Sequence, residues 1–350
     1  MKLVFVCWPF EDQGSGNIIQ GYTEAARALG HEVTVYACPN EKIPLNYSLS
    51  VDSADALVFL FEWTTRQYYG DRLDLARLVG KVPRERRVVV DGDGNYNDVI
   101  CIDGDSNHAD DASSHRWREV CDSLSDKICQ PTLHPLLPNV HSFLFYAYHP
   151  AWERPLDFTA KEFTMLYVGN SKFRWRPMER LLRAIEPARS EIGRIGVVGH
   201  GWGAMPTWAA ELQMEEAYFT DQTYLRRLAV NVLPPVHFKD VISWMSKAIF
   251  NPVLARPTFG HMRLVTPRLF ETLAASTIPL FVLDEAHIAE LYGSEALELR
   301  LPDKQPEEKI FDLVARPEHY AAIVRRIRRH LAEKHSHKTR VVRLIELIEC

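Results

Sequence analysis

Apolar and polar positions along the chain repeat in units of a short apolar run followed by a longer amphipathic stretch. Lys2 to Val6 is a β-branched apolar run that predicts a buried strand. Ile18, Ile19, Tyr22, Ala25, Ala26 and Leu29 then recur at helical spacing, and Gly30 closes that helix before a strand over His31 to Tyr36. Strand, glycine-containing loop, helix, glycine and strand make a βαβ unit. The pattern goes on with strands over Ala56 to Phe61 and Arg87 to Val90, a helix over Leu73 to Val79, and later strands over Lys127 to Cys129 and Ser142 to Tyr146. This half reads as parallel and doubly wound. Between Asp91 and His115 the chain is rich in Asp, Asn, Gly and His and poor in large apolar residues, which predicts long loops.

A second unit of the same kind follows. Phe163 to Val168, Ile195 to Val198, Ala229 to Leu233 and Pro279 to Leu283 read as strands. Helices are predicted from near Pro177, over Phe238 to Met245, over Thr266 to Ala275, around Tyr320 to Leu331, and over Val341 to Ile348. The Pro-containing, polar stretch between the halves reads as a linker. The expected layout is an N-terminal Rossmann-like domain over 1–150, a linker over 151–161, a second such domain over 162–335, and a C-terminal helix over 336–350 that packs onto the first domain or onto a partner.

A length of 350 residues fits two domains of about 150 residues each. The formal net charge of -5 gives no reason to expect a large polyanion or a membrane surface, so the expectation is no nucleic-acid partner. Six cysteines without a Cys-x-x-Cys pair read as reduced thiols, neither a disulfide frame nor a zinc site. The apolar N-terminal run is short and meets Glu11 and Asp12 at once, unlike a signal peptide, and no run approaches the ~18 apolar residues of a membrane span. The reading is a soluble cytoplasmic protein.

Five places carry candidate chemistry. Thr266 and Pro267 are a favoured N-cap and first residue, so the helix they open presents free amides and a positive dipole end that suit a phosphate. Arg268 adds a charge there, and Glu271, one turn in, suits ribose hydroxyls; a plain capped amphipathic helix has the same pattern. After the strand ending at Gly169-Asn170 comes a basic loop with Lys172, Arg174 and Arg176, and one or two of these cations would neutralise a diphosphate leaving group. Gly14 and Gly16 follow the first strand, but Ile19 stands where a dinucleotide fingerprint needs glycine. Asp91, His108 and His115 are candidates for acceptor activation, with Asp93 and Asp105 nearby; polar turns and caps would use the same residues. The Asp-rich stretches lack the Gly and Glu positions of an EF-hand, so no metal is expected. His200 and Trp202, at the end of a strand, suit a nucleotide-site wall or simple packing.

Leu166 to Asn170, Arg268 to Leu280 and the tail His335 to Ile348 together resemble the second half of the GT-B glycosyltransferases, and among them the CgeB-like spore-maturation family. The resemblance implies two Rossmann-like doubly wound α/β domains facing a cleft. It implies transfer of a sugar from a nucleotide-diphosphate-sugar donor to a small-molecule or glycan acceptor, with retention, and with no cofactor or metal. The donor would lie against Gly14, Gly16, Asn170, Lys172, Arg174, Arg176, His200, Thr266, Arg268 and Glu271. Retaining members of the wider class carry two Glu residues with seven between them; here Arg263 stands at the first position and only Glu271 is kept. A non-catalytic nucleotide-sugar-binding protein and a GT-B-type sugar-nucleotide epimerase are the competing readings, and the sequence leaves oligomeric state open.

Overall fold

The structure, a computed structural model, describes residues 1–7, 14–62, 78–107, 114–211 and 214–350, with the backbone alone described at 14–17 and 114–116. In the first half the strands are β1 (Lys2–Val6), β2 (Glu32–Tyr36), β3 (Tyr47–Ser48), β4 (Ala56–Phe61), β5 (Arg87–Asp91), the hairpin pair β6 (Cys101–Ile102) and β7 (Asp105–Ser106), β8 (Ile128–Gln130) and β9 (Val140–Ser142). Seven of them form one parallel sheet in the order β3-β2-β1-β4-β5-β8-β9. The second half holds β10 (Phe163–Val168), β11 (Ile195–Val198), β12 (Asn231–Leu233), β13 (Ala248–Leu254) and β14 (Ile278–Val282), in the order β12-β11-β10-β13-β14. The helices used below are α1 (Gly14–Ala28), α2 (Ser114–Leu124), α3 (Trp175–Ile185), α4 (Pro257–His261), α5 (Pro267–Ala274), α6 (Glu285–Tyr292), α7 (Pro317–Lys334) and α8 (His337–Glu349).

Each sheet reverses its strand order once, at β1/β4 in the first and at β10/β13 in the second. In doubly wound sheets the loops leaving such a point diverge and open a crevice where ligands bind. The central strands are buried along their whole length and almost wholly apolar, as burial on both faces requires: Ala56–Phe61 and Phe163–Val168 are buried at every position, Thr164 being the one polar exception.

The tail returns to the first half. Helix α8 lies against α1, where Gly21 leaves room for the His337 ring and a Cβ would overlap it. The ring of His337 stands edge-on to Tyr22 at 5.7 Å. Buried Arg340 donates to the Tyr146 carbonyl at 3.1 Å. The connection between the halves is stitched to the tail by a Tyr148 N–H to His335 O bond of 2.8 Å. Buried Arg328 donates to the carbonyls of Leu273, Ala275 and Arg154, so one guanidinium fixes the end of α5 and the connecting segment together. One buried apolar cluster runs from Leu3 and Phe5 through Phe145 and Tyr148 to Leu344 and into the second sheet.

The structure departs from the sequence pattern at four places. The apolar run Ser142 to Tyr146 is not a strand: β9 ends at Ser142, and the run leaves the sheet to pack under α1, with Phe145 stacked on Tyr22 at 5.1 Å. Gly14 and Gly16 lie in the first turn of α1 rather than in a loop before it. A hairpin, β6–β7, stands inside the expected long loop, its turn made by Asp103 and Gly104 at φ 55° and 80°. Strand β13 is absent from the expected pattern; Pro252 lies within it, and its pairing with β10 stops at Phe250 while that with β14 runs to Leu254. Among the described residues no helix is long and apolar enough to cross a membrane.

Candidate functional site

The crevice-forming loop of the second sheet is Gly169 to Arg174. Strand β10 ends there and the loop is locked against the end of β11. Trp202 Nε1 donates to Gly169 O at 2.6 Å, the His200 N–H to Asn170 Oδ1 at 3.1 Å, and the Ser171 N–H to His200 O at 2.9 Å. Trp202 is fully buried, so it packs the loop from below and offers no face to a base. Gly201 sits at φ 85°, and a Cβ on it would overlap Ser171 Oγ, which explains glycine at that position. Asn170 and His200 are exposed at the rim, whereas Ser171 and Lys172 are buried.

Helix α5 opens beside this sheet. Thr266 has the extended backbone of an N-cap, but its side chain makes no capping bond, which corrects the expected Thr266 cap. Leu269, Phe270, Leu273 and Ala274 are buried as the amphipathic pattern requires. Arg268 and Glu271 meet on the other face, Nη1 to Oε2 at 3.2 Å. Arg263 points elsewhere, pairing with Asp284 and Glu290 near α6 at 3.2 and 3.4 Å.

Two buried side-chain donors of this loop, Ser171 Oγ and Arg174 Nε, have no hydrogen-bond partner among the described residues, and buried Arg268 Nη1 has only its 3.2 Å ion pair with Glu271. A buried donor without a partner is costly. Two of these three atoms belong to guanidinium groups, so the ligand chemistry that would satisfy them is anionic. Arg174 already donates through Nη1 to the Lys172 carbonyl at 3.2 Å. Arg176 is different: it is exposed and ion-paired with Asp103 of the β6–β7 turn.

Opposite in character is the edge of the first sheet. At the end of β4, Glu62 accepts a 2.7 Å hydrogen bond from Tyr146. Burial, and then the charges of Glu62 and Asp93, push the Tyr146 phenol far above its ordinary range. Burial followed by Glu62 likewise raises the Cys7 thiol at the end of β1. Glu62, Asp93, Asp91, Tyr146 and Cys7 thus share one acidic corner at the first sheet's crevice.

Asp91 does not serve there as a free base. It is 2 % exposed, and its carboxylate accepts the Asn95 and Tyr96 N–H groups at 3.0 and 2.9 Å and Gln130 Nε2 at 2.8 Å. It organises the loop after β5. His108 lies outside the described residues, as does the side chain of His115. Glu62, which the sequence reading did not single out, is the acidic residue at the strand end beside the switch point; its signal was position, immediately after the apolar run Ala56–Phe61. Among the described residues no three His, Cys, Asp or Glu side chains gather as metal ligands.

The two edges are tied together on one side. Val265 N–H donates to Pro131 O at 2.7 Å and Thr132 Oγ1 to Met262 O at 2.9 Å. Gly94 packs so closely on Met262 that a Cβ there would lie 2.6 Å from its sulfur.

Residues 174–346 match a family model described as glycosyl transferase-like, so the second half of the chain carries a glycosyl transferase-like region. An α-glucosyltransferase solved with UDP-glucose and DNA containing an abasic site is similar over 100% of this chain and 99% of its own, with TM-score 0.65 at 12% identity. The T4 phage β-glucosyltransferase is similar over 100% of both chains, with TM-score 0.57 at 12% identity. No curated protein sequence matches this chain. The structural likeness shows the fold: two doubly wound α/β domains of the GT-B type.

These neighbours overturn one expectation. The net charge of -5 argues against a nucleic-acid partner, yet proteins of this fold are solved in complex with DNA, including a 13-mer with an A:G mismatch. Net charge averages the whole surface, whereas a binding face needs only local cations.

Proposed function

We propose that the chain is a glycosyltransferase that binds a UDP-sugar against its second sheet and delivers the sugar to an acceptor held by the first. The observation that carries this reading is the pair of buried donors without a partner among the described residues, Ser171 Oγ and Arg174 Nε, at the start of the glycosyl transferase-like region, with Arg268 Nη1 held only by Glu271. The choice of uridine rests on the UDP and UDP-glucose complexes of the similar structures.

In this reading Ser171, Lys172, Arg174 and Arg268 surround the diphosphate. Charge develops on the leaving diphosphate as the glycosidic bond breaks, and fixed donors in a buried site stabilise that charge without reorganising. Glu271 turns from Arg268 to the ribose hydroxyls. On the acceptor side Glu62 takes the proton of the attacking hydroxyl, with Tyr146 holding its carboxylate in place. Asp91 keeps the β5 loop in shape. Gly14 and Gly16, at the start of α1, border the same crevice, as do Asn170 and His200 at the rim.

Nucleic acid is the acceptor class we favour, because similar structures hold DNA. The row Arg174, Arg176, Arg180 and Arg183 supports it by supplying cations from the loop outward along α3. Arg176, Arg180 and Arg183 are exposed and each pairs with a carboxylate that is exposed or partly exposed, and such pairs are weak enough to exchange for a phosphate.

The test is direct. Purified protein is incubated with UDP-glucose labelled in the sugar, together with duplex DNA carrying hydroxymethylated bases, with unmodified DNA, or with simple glycans. Label transferred to DNA supports the full reading. Label transferred to glycan alone keeps the enzyme and removes the nucleic-acid acceptor. UDP-glucose that neither binds nor turns over overturns the donor assignment.

A further inference from the structure

The β6–β7 hairpin belongs to the first half, yet its principal contacts are with the second. Asp105, on β7, has no exposed surface. Its carboxylate accepts four bonds from across the boundary: Arg256 Nε at 3.2 Å and Nη2 at 2.6 Å, the Thr258 N–H at 3.0 Å, and Thr258 Oγ1 at 2.6 Å. Arg256 leaves the end of β13, on one side of the second sheet's switch point. Its guanidinium lies between two rings, Phe173 at 4.9 Å and Phe259 at 4.7 Å. Phe173 leaves the end of β10, on the other side of the same switch point, and is the residue between Lys172 and Arg174.

Phe173 is held in the left-handed region at φ 53°, a conformation unfavourable for a bulky residue unless its surroundings impose it. Two contacts impose it here: its N–H donates to Ala217 O at 2.6 Å, and its ring is stacked on Arg256. A carboxylate in the first half therefore fixes a guanidinium, the guanidinium fixes a ring, and the ring fixes the loop that carries Ser171, Lys172 and Arg174.

We propose that Asp105 and Arg256 form an interdomain latch that positions the Gly169–Arg174 loop through Phe173. These are positioning residues: they act on the anion-binding loop through a neighbour. The role assigned to that loop rests on the donor-site reading above, whereas the latch itself is a statement about mechanical coupling. The latch makes the shape of the donor loop depend on the presence of the hairpin, so a chain whose hairpin is displaced loses its ordered donor site. A buried ion pair that merely glued two domains would stabilise the whole fold without singling out this loop.

Hydrogen exchange on the full chain separates these cases. In Asp105→Asn, which keeps the shape but removes the charge and one acceptor oxygen, the amides of 169–174 exchange at least roughly tenfold faster while β10 and β11 keep their protection. Phe173→Leu, with Asp105 and Arg256 intact, has the same local effect. Arg256→Lys keeps the charge and does not restore slow exchange, because an ammonium cannot form the fork or the stack. Asp303→Asn, at an exposed carboxylate paired with Arg180 and Arg300, leaves the loop unchanged. UDP affinity is measured on the same samples and falls about tenfold in the first three variants.

Unchanged loop exchange in a folded Asp105→Asn protein overturns the latch. Acceleration spread evenly over both sheets also overturns it, in favour of plain domain adhesion. If Asp105→Asn does not fold, Thr258→Val, which removes a single hydroxyl donor, gives a smaller change confined to the same loop or overturns the proposal by giving none. A wild-type chain that binds no UDP defeats the donor reading alone, because the exchange measurement still decides the latch.

Discussion

The two sheets end in edges of opposite character. On the first, acidic groups crowd together and already have donors: Asp91 accepts three strong bonds, and Glu62 accepts one from Tyr146. On the second, the buried donors Ser171 Oγ and Arg174 Nε have no acceptor among the described residues, and Arg268 Nη1 has only the Glu271 carboxylate at 3.2 Å. Two similar βα folds have thus been given different work by the residues just past their strand ends. In the reading proposed above, the satisfied acidic edge serves proton chemistry with a defined geometry, and the donor-rich edge receives an anion.

The comparison breaks most readily at Glu62. Glu62→Gln preserves shape and the Tyr146 contact but removes the base, and is expected to lower the transfer rate about 10²- to 10⁴-fold, with UDP affinity unchanged. Equal loss of rate and affinity would move Glu62 out of the acceptor role. Asp91→Asn is the matched control on the same edge. An amide there must turn its NH₂ toward at least one of the N–H groups Asp91 now accepts, leaving a buried donor clash worth about 1–3 kcal/mol. It is read as a lower urea midpoint at unchanged slope. A stable Asp91→Asn protein with a large rate loss would exchange the roles assigned to the two carboxylates.

On the second edge, Glu271→Ala is expected to weaken UDP binding about tenfold, or ~1.4 kcal/mol, measured by calorimetry. The melting temperature of the free protein stays within about 2 °C, since the side chain's one described partner is Arg268, a turn away. Unchanged affinity would show that α5 does not hold the nucleotide.

Much of this difference was readable in the residues themselves, and the limits are physical. The run Ala56–Phe61 and the helix from Pro267 are each declared by local pattern, and the structure places both at their predicted positions. The hairpin was also declared, by Asp103-Gly104, a pair that accepts positive φ at both turn positions, but acidic composition around it outweighed that signal. Strand β13 was hidden by Asn251-Pro252, because a proline usually excludes a strand from a sheet interior. The apolar run after Ser142 misled for a different reason. It is buried by α1 and the returning tail, and no local pattern distinguishes burial against a helix from burial in a sheet. The long-range partners were beyond reach: Asp91 accepts from Gln130, 39 positions away, although its bonds from Asn95 and Tyr96 are local. Asp105 meets a residue 151 positions away, so its role depends on the packing of two domains.

The smallest effect belongs to the other ion pair of the hairpin, and it sharpens the contrast between the two halves. Asp103 and Arg176 join the same two domains as Asp105 and Arg256, but their side chains are 48% and 63% exposed. Water screens such a pair and both side chains lose rotamer freedom to form it, so Arg176→Ala is expected to change stability by less than about 1 kcal/mol. UDP affinity should also hold, because Arg176 points to the hairpin tip and not to the Ser171–Arg174 loop. What should change is the acceptor side. If α3 offers its arginines to a nucleic-acid backbone, removing one contact flattens the plot of log binding constant against log salt by about one unit for duplex DNA. A slope unchanged within error would remove Arg176 from the acceptor face, and a loss of UDP affinity would return it to the donor site.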